Sequence, residues 1–556
     1  MSARLFKFHG GIRTDGHKRE SSESPIRQAP LPSRLVVPLR QSTRATARCI
    51  VEPGQKVAKG ERIGEPDGFL GTAVHAPTSG TVVEFGRHVM AHPSGLETRC
   101  VVIEPDGEDR WIERKPFDLR HAGRADALGW LRDCGIVGLG GATFPSHVKL
   151  GTGSGVDTLI LNGAECEPWI TCDDRLMRER AADILAGAGI LRDLIGARRL
   201  RVGIEDNKPE AIAAMRAAAA SLGGDTEVVA IPAIYPAGGE KQLIRVLTGI
   251  EIPYGKLGGD FGVQCFNVGT AHAVYRAFVH GEPLVSRVLT LTGNVERPGN
   301  WEVLIGTPVE ELLPLAGPKA DTDRFVMGGP MMGFALPRLD VPVVKGSNCI
   351  IASSPALFPP PPPEQNCIRC GECARVCPAE LQPFELYWFS RAKNFGKAQE
   401  YHLFDCIECG CCAYVCPSHI PLVDYYRFAK SEIWAREREK TAADLARERF
   451  EFRNFRQERE KEEKAAKLAA KAAATRAKLD AEGASAEVAS AGEDPKKALI
   501  AAALARAKAQ KAASEPKNTD NLSPAAQAEI DAIEARRQAA QQAPAGADAA
   551  PGPDAR

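Results

Sequence analysis

Nine of the sixteen cysteines fall between residues 367 and 416, in two runs of the same form. CIRCGECARVCP (367–378) and CIECGCCAYVCP (406–417) each read C-x2-C-x2-C-x3-C-P. An iron–sulfur cube offers four corners to four thiolates; three cysteines two residues apart wrap one loop around three of them, and the fourth thiolate must come from elsewhere. In two-cluster proteins the last cysteine of each run serves the other cluster. The spacing therefore assigns Cys367, Cys370, Cys373 and Cys416 to one [4Fe-4S] cluster and Cys406, Cys409, Cys412 and Cys377 to a second, with Cys411 left over. Structural zinc favours two C-x2-C pairs with a gap, and disulfides need an oxidising compartment; neither accounts for two copies of a four-cysteine run. Residues 379–405, between the runs, have a helix-rich pattern and exceed the connection of a minimal ferredoxin, so an α-helical ferredoxin-type domain is expected.

Three further loops carry groups able to meet a ligand. The first is Gly138-Leu139-Gly140-Gly141-Ala142-Thr143-Phe144-Pro145, followed by Lys149. Glycines let backbone N–H groups approach a phosphate or a flat ring, and a lysine pairs with the charge. The spacing is not G-x-G-x-x-G, and the same residues read equally as a tight turn. The second, Asn162-Gly163-Ala164-Glu165-Cys166-Glu167-Pro168, ends a strand and runs into Thr171-Cys172-Asp173-Asp174-Arg175 at a helix start. Its carboxylates are placed to accept from ribose hydroxyls, while Asp173 and Asp174 read as structural helix caps. The third, Tyr235-Pro236-Ala237-Gly238-Gly239-Glu240, opens a helix that stops at Gly249, a ready anion site. Asn267 and Thr270, in CFNVGTAHAVYRAF, add polar groups on the next segment.

The elements that must hold these loops follow a strand–helix alternation over 115–275: VDTLILNG (156–163), a helix from Asp174 to about Leu194, RRLRVGIEDN (198–207), a helix over 209–221, and TEVVAIPA (226–233). That pattern predicts a parallel sheet with ligand chemistry at the carboxyl ends of its strands. Over 35–113, short apolar runs split by Gly and Pro predict an all-β unit. Its phrase V-x-PGQ-x-V-x-KG-x-x-IG…HAPTSGTV resembles biotinyl/lipoyl-type barrel-sandwich domains. Where a carrier presents a lysine on an exposed turn, this chain has His75-Ala76-Pro77-Thr78-Ser79-Gly80, so carrier function is not expected. Residues 276–350 resemble a soluble-ligand-binding β-grasp module, expected as a spacer and docking surface. A polyproline stretch (359–363) is expected to set a distance to the cysteine runs. Residues 1–34 read as a polar arm lying over a neighbouring domain, with no evident chemistry.

After about residue 431 the composition shifts to Ala, Glu, Lys and Arg. An exposed charged helix is expected to about Leu479 and disorder beyond it, interrupted by a basic helix over 496–511 that reads equally as a surface able to touch an anionic bilayer or a partner and as a solvated alanine-rich helix.

A chain of 556 residues, 44% apolar and 26% charged, fits three to five soluble domains. Seventy-one basic and seventy-one acidic residues cancel, so no global field argues for nucleic acid. The seven other cysteines (Cys49, Cys100, Cys134, Cys166, Cys172, Cys265, Cys349) lack pair spacing, the distribution of a reducing compartment. Neither an apolar leader nor an eighteen-residue apolar run is present, so neither a signal peptide nor a membrane span is expected.

In order and approximate spacing, GLGGATFP, LILNGAECEPWITCDDRLM, YPAGGEKQLI and FNVGTA resemble the flavin- and NADH-binding segments of the flavin-carrying subunit of respiratory complex I. With a barrel-sandwich unit before them and two cluster motifs after, the arrangement over residues 1 to about 430 resembles the RnfC family, from the Rnf (Rsx) ion-translocating electron-transport complexes. The resemblance implies an α/β multidomain chain: barrel-sandwich hybrid (35–113), Rossmann-like FMN/NADH domain (115–275), β-grasp (276–350), double [4Fe-4S] domain (360–430) and tail (431–556). It implies non-covalent FMN at Gly138, Gly140, Gly141, Lys149, Asn162, Glu165, Gly239, Glu240, Asn267 and Thr270, with Phe144 and Glu167 meeting NAD(H). After the residue matching Glu240, complex I has a second acid where this chain has Lys241.

NADH gives two electrons as hydride, a cluster takes one, and a flavin converts between them, so the loops and the cysteine runs explain each other. The resemblance implies an oxidoreductase subunit, peripheral on the cytoplasmic face of a bacterial inner membrane. Its partners would be integral-membrane and ferredoxin-like iron–sulfur subunits, in a complex that links NADH and ferredoxin to Na+ or H+ movement. The alternatives are a soluble cobalamin reductase of the propanediol-utilisation type and a relay module with a vestigial nucleotide pocket. Retention of Asn162, Glu165, Glu167 and Glu240 speaks against the second.

Overall fold

Leu159, Ile160 and Leu161 are successive and all fully buried, so the strand Thr158–Gly163 is covered on both faces, as in a parallel sheet between helices. The computed structural model, which describes residues 4–152, 155–222, 225–486 and 495–513, places it second from one edge of a four-stranded parallel sheet. The order is Asp225–Ile231, Arg199–Glu205, Thr158–Gly163, Val263–Asn267. The chain divides into two units, 1–441 and 442–556.

The expected single helix from Asp174 to about Leu194 is two, Cys172–Glu179 and Ala181–Ile195, broken at Arg180 (φ −129°, ψ 30°). No glycine or proline marks the break. The first helix turns its N-terminus toward the Glu165 loop, whereas the second packs along Val268–Val279, with Gly187 set where a Cβ would collide with the Ala271 carbonyl.

The barrel-sandwich unit joins Leu35–Pro38, Glu97–Pro105, Gly80–Val89 and Lys56–Val57 to a small sheet of Arg48–Cys49, Arg62–Glu65 and Val74–His75, around Leu35, Val37, Ile63, Val82, Val101 and Ile103. The 75–80 segment, expected as an exposed turn, is buried throughout. The Thr78 hydroxyl donates to Asp109 and the Ser79 hydroxyl to Asp106, both at 2.7 Å, so the returning 106–111 loop covers it.

The β-grasp sheet is ordered Arg27–Gln28, Gly299–Leu304, Ser286–Gly293, Cys349–Ser353, Arg324–Met327, Phe334–Ala335, with the helix Val309–Ala316 on its core. Its first strand comes from the N-terminal arm, Arg27 pairing in parallel with Trp301. Elsewhere the arm bonds to several other places, among them Phe6 N–H to Val246, Gly11 N–H to Val376 (3.0 Å each), and Ile12 in a bridge with Tyr235.

The two cysteine runs repeat one backbone. Arg369 and Glu408 (φ 55° and 58°), Gly371 and Gly410 (79° and 80°), and Glu380 and His419 (54° and 52°) take the same left-handed geometry at equivalent places, with glycine where the short helices Glu372–Arg375 and Cys411–Tyr414 begin. Residues 379–405 form Pro383–Arg391, Phe395–Glu400 and a 3-10 turn, packed with the start of the helix Leu422–Ala486 on Leu386, Tyr387, Leu403, Tyr426, Ala429 and Ile433.

Beyond Ile433 that helix is largely exposed, and it extends past the expected limit to Ala486. A separate helix spans Pro495–Ala513. The disorder expected over 487–494 and 514–556 lies outside the described residues. Among the described residues no helix is long and apolar enough to cross a membrane.

Candidate functional site

The three loops meet at the carboxyl ends of Thr158–Gly163 and Val263–Asn267, the first and second each joined to the third. Asn162 donates from Nδ2 to the Gly238 carbonyl (2.8 Å), linking second and third. The Lys149 ammonium meets the Glu240 carboxylate at 2.8 Å, linking first and third, and lies 5.2 Å from the centre of the Phe266 ring. Leu139 N–H donates to the Thr270 hydroxyl (2.9 Å), fixing the first loop on the helix Val268–Val279. Asn267 caps that helix through Gly269 N–H (2.8 Å) and donates to Asp173 (2.6 Å).

The first loop closes on itself where Gly138 N–H donates to the Phe144 carbonyl (2.8 Å). Gly141 has φ +109°, and nothing lies within 4 Å of where its Cβ would stand, so the loop offers bare backbone to open space. Phe144 keeps 37% of its surface exposed beside it. Bare backbone, a lysine and an exposed ring fit an anionic, planar cofactor such as FMN. Gly238 packs where a Cβ would strike the Ala164 carbonyl, and Gly239 is the N-cap of Glu240–Thr248. Lys241 bonds the Pro253 carbonyl (3.0 Å).

Asp173 and Asp174 do not cap their helix. Glu165 does so from the preceding loop: its carboxylate accepts from Asp173 N–H (2.8 Å) and Asp174 N–H (3.3 Å), an anion on a helix N-terminus. Asp173 is taken by Asn267, and Asp174 by the Arg178 guanidinium at 2.7 and 3.0 Å. Burial pushes Glu165 up to about 7, against the pull of the nearby Lys18 ammonium. Glu167 reaches the β-grasp turn, accepting from Met331 N–H (2.7 Å) and Met332 N–H (3.0 Å), and burial raises its pKa too. The ligand atoms of Glu165, Cys172 and Asp173 lie within 4.8 Å of one another; hydrogen bonds and the charges of Lys18 and Lys208 compensate them.

Two residues of this site gave no sequence signal. Lys18, in the arm read as lacking chemistry, sends its ammonium to the carbonyls of Glu165 and Glu167 (2.7 Å each) and Ile170 (2.6 Å). Lys208, fully buried, is paired with the buried Glu205 and also reaches the Glu165 carbonyl at 3.4 Å.

The second cysteine run abuts these loops. The Tyr235 hydroxyl donates to the Cys409 carbonyl (2.6 Å), and Ile12, Tyr235, Cys409 and Cys411 form one buried apolar group edged by Cys166, Met331 and Val376. Cys411, left over in the ligand assignment, is a packing residue of that contact. The Cys412 thiol lies in electrostatic reach of Cys406, Cys409 and Cys377, and also of Cys373, while Cys373 has Cys370 and Cys367 about it. Cys416 packs on the same apolar cluster as Cys373. The first run faces outward, with Cys370 exposed and Ile368 69% exposed.

Four family models match in succession: the RnfC barrel sandwich hybrid domain (6–108), the Nuo51 FMN-binding domain (131–276), the SLBB domain (288–335) and the 4Fe-4S dicluster domain (366–420). The C-type subunit of the ion-translocating oxidoreductase complex of Pectobacterium atrosepticum is 49% identical over 406 residues, covering 72% of this chain and 58% of that protein. The protein of the same name from Yersinia pestis bv. Antiqua is 48% identical over 457 residues, covering 82% of this chain and 73% of that one. This chain thus spans less than two thirds of the first relative and nearly three quarters of the second. Among solved structures, a chain of an NAD+-reducing [NiFe]-hydrogenase in the H2-reduced state matches with a TM-score of 0.40 and 19% identity, over 55% of this chain and 61% of that one. At nearly half identity over four fifths of its length, the chain belongs to the RnfC family, the C-type subunits of the ion-translocating oxidoreductase complexes.

Proposed function

We propose that this chain is the peripheral electron-transfer subunit of a membrane-bound ion-translocating NADH:ferredoxin oxidoreductase complex, passing electrons between NAD(H), FMN and two [4Fe-4S] clusters. The supporting observation is the Tyr235–Cys409 hydrogen bond of 2.6 Å, which ties the third loop to the second cysteine run. FMN, when bound, takes hydride and releases electrons singly. The protein's part is to position. Backbone N–H groups of Gly138, Gly140 and Gly141, with Lys149, receive the flavin phosphate and ring, Asn162, Glu165, Gly239, Glu240, Asn267 and Thr270 hold the loops in register, and Phe144 and Glu167 border the nicotinamide.

In this reading Cys406, Cys409, Cys412 and Cys377 hold the cluster nearer the flavin, and Cys367, Cys370, Cys373 and Cys416 hold the outer one, from which electrons leave for a ferredoxin-like partner. Attachment is on the cytoplasmic face of the bacterial inner membrane, through integral-membrane partners. The names of the relatives favour this over the cobalamin-reductase reading.

Anaerobically purified protein is expected to show flavin absorption bleached by NADH and about eight iron and eight labile sulfide per chain. About four iron, or stoichiometric zinc, would overturn the double-cluster assignment. In stopped-flow absorbance, Cys416→Ala is expected to leave flavin bleaching near normal while transfer to a ferredoxin-type acceptor collapses. Cys406→Ala should stop electrons at the flavin, leaving the outer cluster oxidised; rapid reduction of that cluster by NADH in this variant would reverse the order.

A further inference from the structure

Lysine is seldom enclosed, and when it is, a carboxylate usually takes its charge. Lys18 differs. Its ammonium has three N–H donors, and three main-chain carbonyls of one loop, Glu165, Glu167 and Ile170, stand at 2.7, 2.7 and 2.6 Å. Such a set saturates the group and draws three peptide planes inward around one point. Residues on either side brace the wrap: the His17 ring stacks on Trp169 (4.2 Å between centres, 7° between planes), Trp169 N–H donates to the Gly16 carbonyl (2.8 Å), and the Ser21 and Thr171 hydroxyls are 2.8 Å apart. Trp169 is held at φ +71°, a left-handed geometry that a bulky residue adopts only under constraint.

We propose that Lys18 is a positioning residue of the flavin site, its ammonium folding the 165–170 loop around itself so that Glu165 and Glu167 leave the loop in fixed directions. The inference rests on the flavin reading above. The loop has no glycine between residues 164 and 170; Pro168 fixes one φ and biases Glu167 toward extended backbone, but no residue of the loop favours the left-handed turn at Trp169. Without the ammonium, the inward carbonyls of Glu167 and Ile170 would lose this donor and that of Glu165 would keep only the longer contact to Lys208 at 3.4 Å, a cost for each acceptor shielded from water.

The charge acts in the same place. Groups facing Glu165 are Lys18 from the arm, Lys208 after the strand Arg199–Glu205, Cys172 and Asp173 from the helix start, and Arg287 and Cys349 from the β-grasp strands Ser286–Gly293 and Cys349–Ser353. Burial and Asp173 favour the protonated acid, while Lys18 is the foremost of the influences that oppose it. Loss of the ammonium therefore moves Glu165 titration upward, which a purely mechanical strap would not do.

The test uses the full chain stripped of flavin, titrated with FMN across pH 5.5–9 and followed by quenching of FMN fluorescence. Lys18→Met keeps the length of the side chain without donors or charge. It is expected to raise the FMN dissociation constant roughly tenfold or more and to move upward the pH at which affinity passes between its two limbs. Ser21→Ala, which loosens the arm but spares the ammonium, should alter affinity less than threefold and leave that pH in place. If Lys18→Met does not yield folded protein, Lys18→Gln takes its place, with an intermediate affinity loss and the same upward shift expected. Wild-type affinity and pH profile in the Lys18 variant, or an equal effect from Ser21→Ala, would overturn the inference while leaving the flavin reading intact. Failure of the wild-type chain to bind FMN would overturn both.

Discussion

Buried acids in this protein are defined by what donates to them. Glu165 and Glu167 are two residues apart in one loop, yet one receives the N-terminus of the following helix and the other receives Met331 and Met332 of a different domain. Glu167 therefore holds the β-grasp turn beside the nucleotide loop, and its removal acts on both. Glu167→Ala is expected to weaken NADH use by roughly ten- to a hundredfold, the loss of charged hydrogen bonds worth about 1.5–3 kcal/mol, with iron content and dithionite reduction of the clusters unchanged. Steady-state KM and kcat for NADH beside iron analysis check this; unaltered NADH kinetics would remove Glu167 from the nucleotide site.

Among the elements, the helix Leu422–Ala486 does two different jobs along its length. Its first three turns put Tyr426, Ala429 and Ile433 into the cluster-domain core, Trp434 and Arg436 still lie against Phe404 and Phe395, and from 437 to 481 nearly every residue is exposed. A chain ending at residue 450 is expected to retain flavin, iron and NADH-dependent dye reduction, and one ending at 425 is expected to lose both clusters. Ile433→Ala, at a site only 4% exposed, should destabilise the cluster domain by about 2–5 kcal/mol, read as a lowered midpoint in denaturant under anaerobic conditions. Loss of dye reduction in the 450 truncation would make the exposed part of the helix a piece of the fold.

In the whole molecule, Lys345 of the β-grasp unit is buried where three domains meet, donating to the Gly135 carbonyl (2.6 Å) and reaching that of Ala73 in the barrel-sandwich unit (3.4 Å). Burial pulls its pKa down to about 7 from the ordinary 10.5. Between those two values the unfolded chain holds a proton that the folded chain does not, so this group makes stability rise with pH across that window. Lys345→Met is expected to flatten that rise, measured as the thermal midpoint from pH 7 to 10. An identical pH slope in the variant would show that the amine stays protonated in the folded chain.

What the sequence determined by itself was chemistry carried in short spacings. Two four-cysteine runs, glycine loops at strand ends and the βαβ alternation are all local, because a turn that must take positive φ or a strand covered on two faces restricts residue type at that very position. The capping of Cys172–Glu179 was misread because adjacent aspartates satisfy the local rule equally well; only the tertiary fold delivers Glu165 there and draws Asp173 to Asn267 and Asp174 to Arg178. The closed 75–80 segment depends on a loop thirty residues away, and Lys18 on a loop nearly one hundred and fifty away. An isolated lysine in a polar arm carries no periodicity and no motif. Its role arises from three carbonyls that converge only once the chain has folded, because a backbone acceptor is the same in every residue and leaves no mark in the sequence.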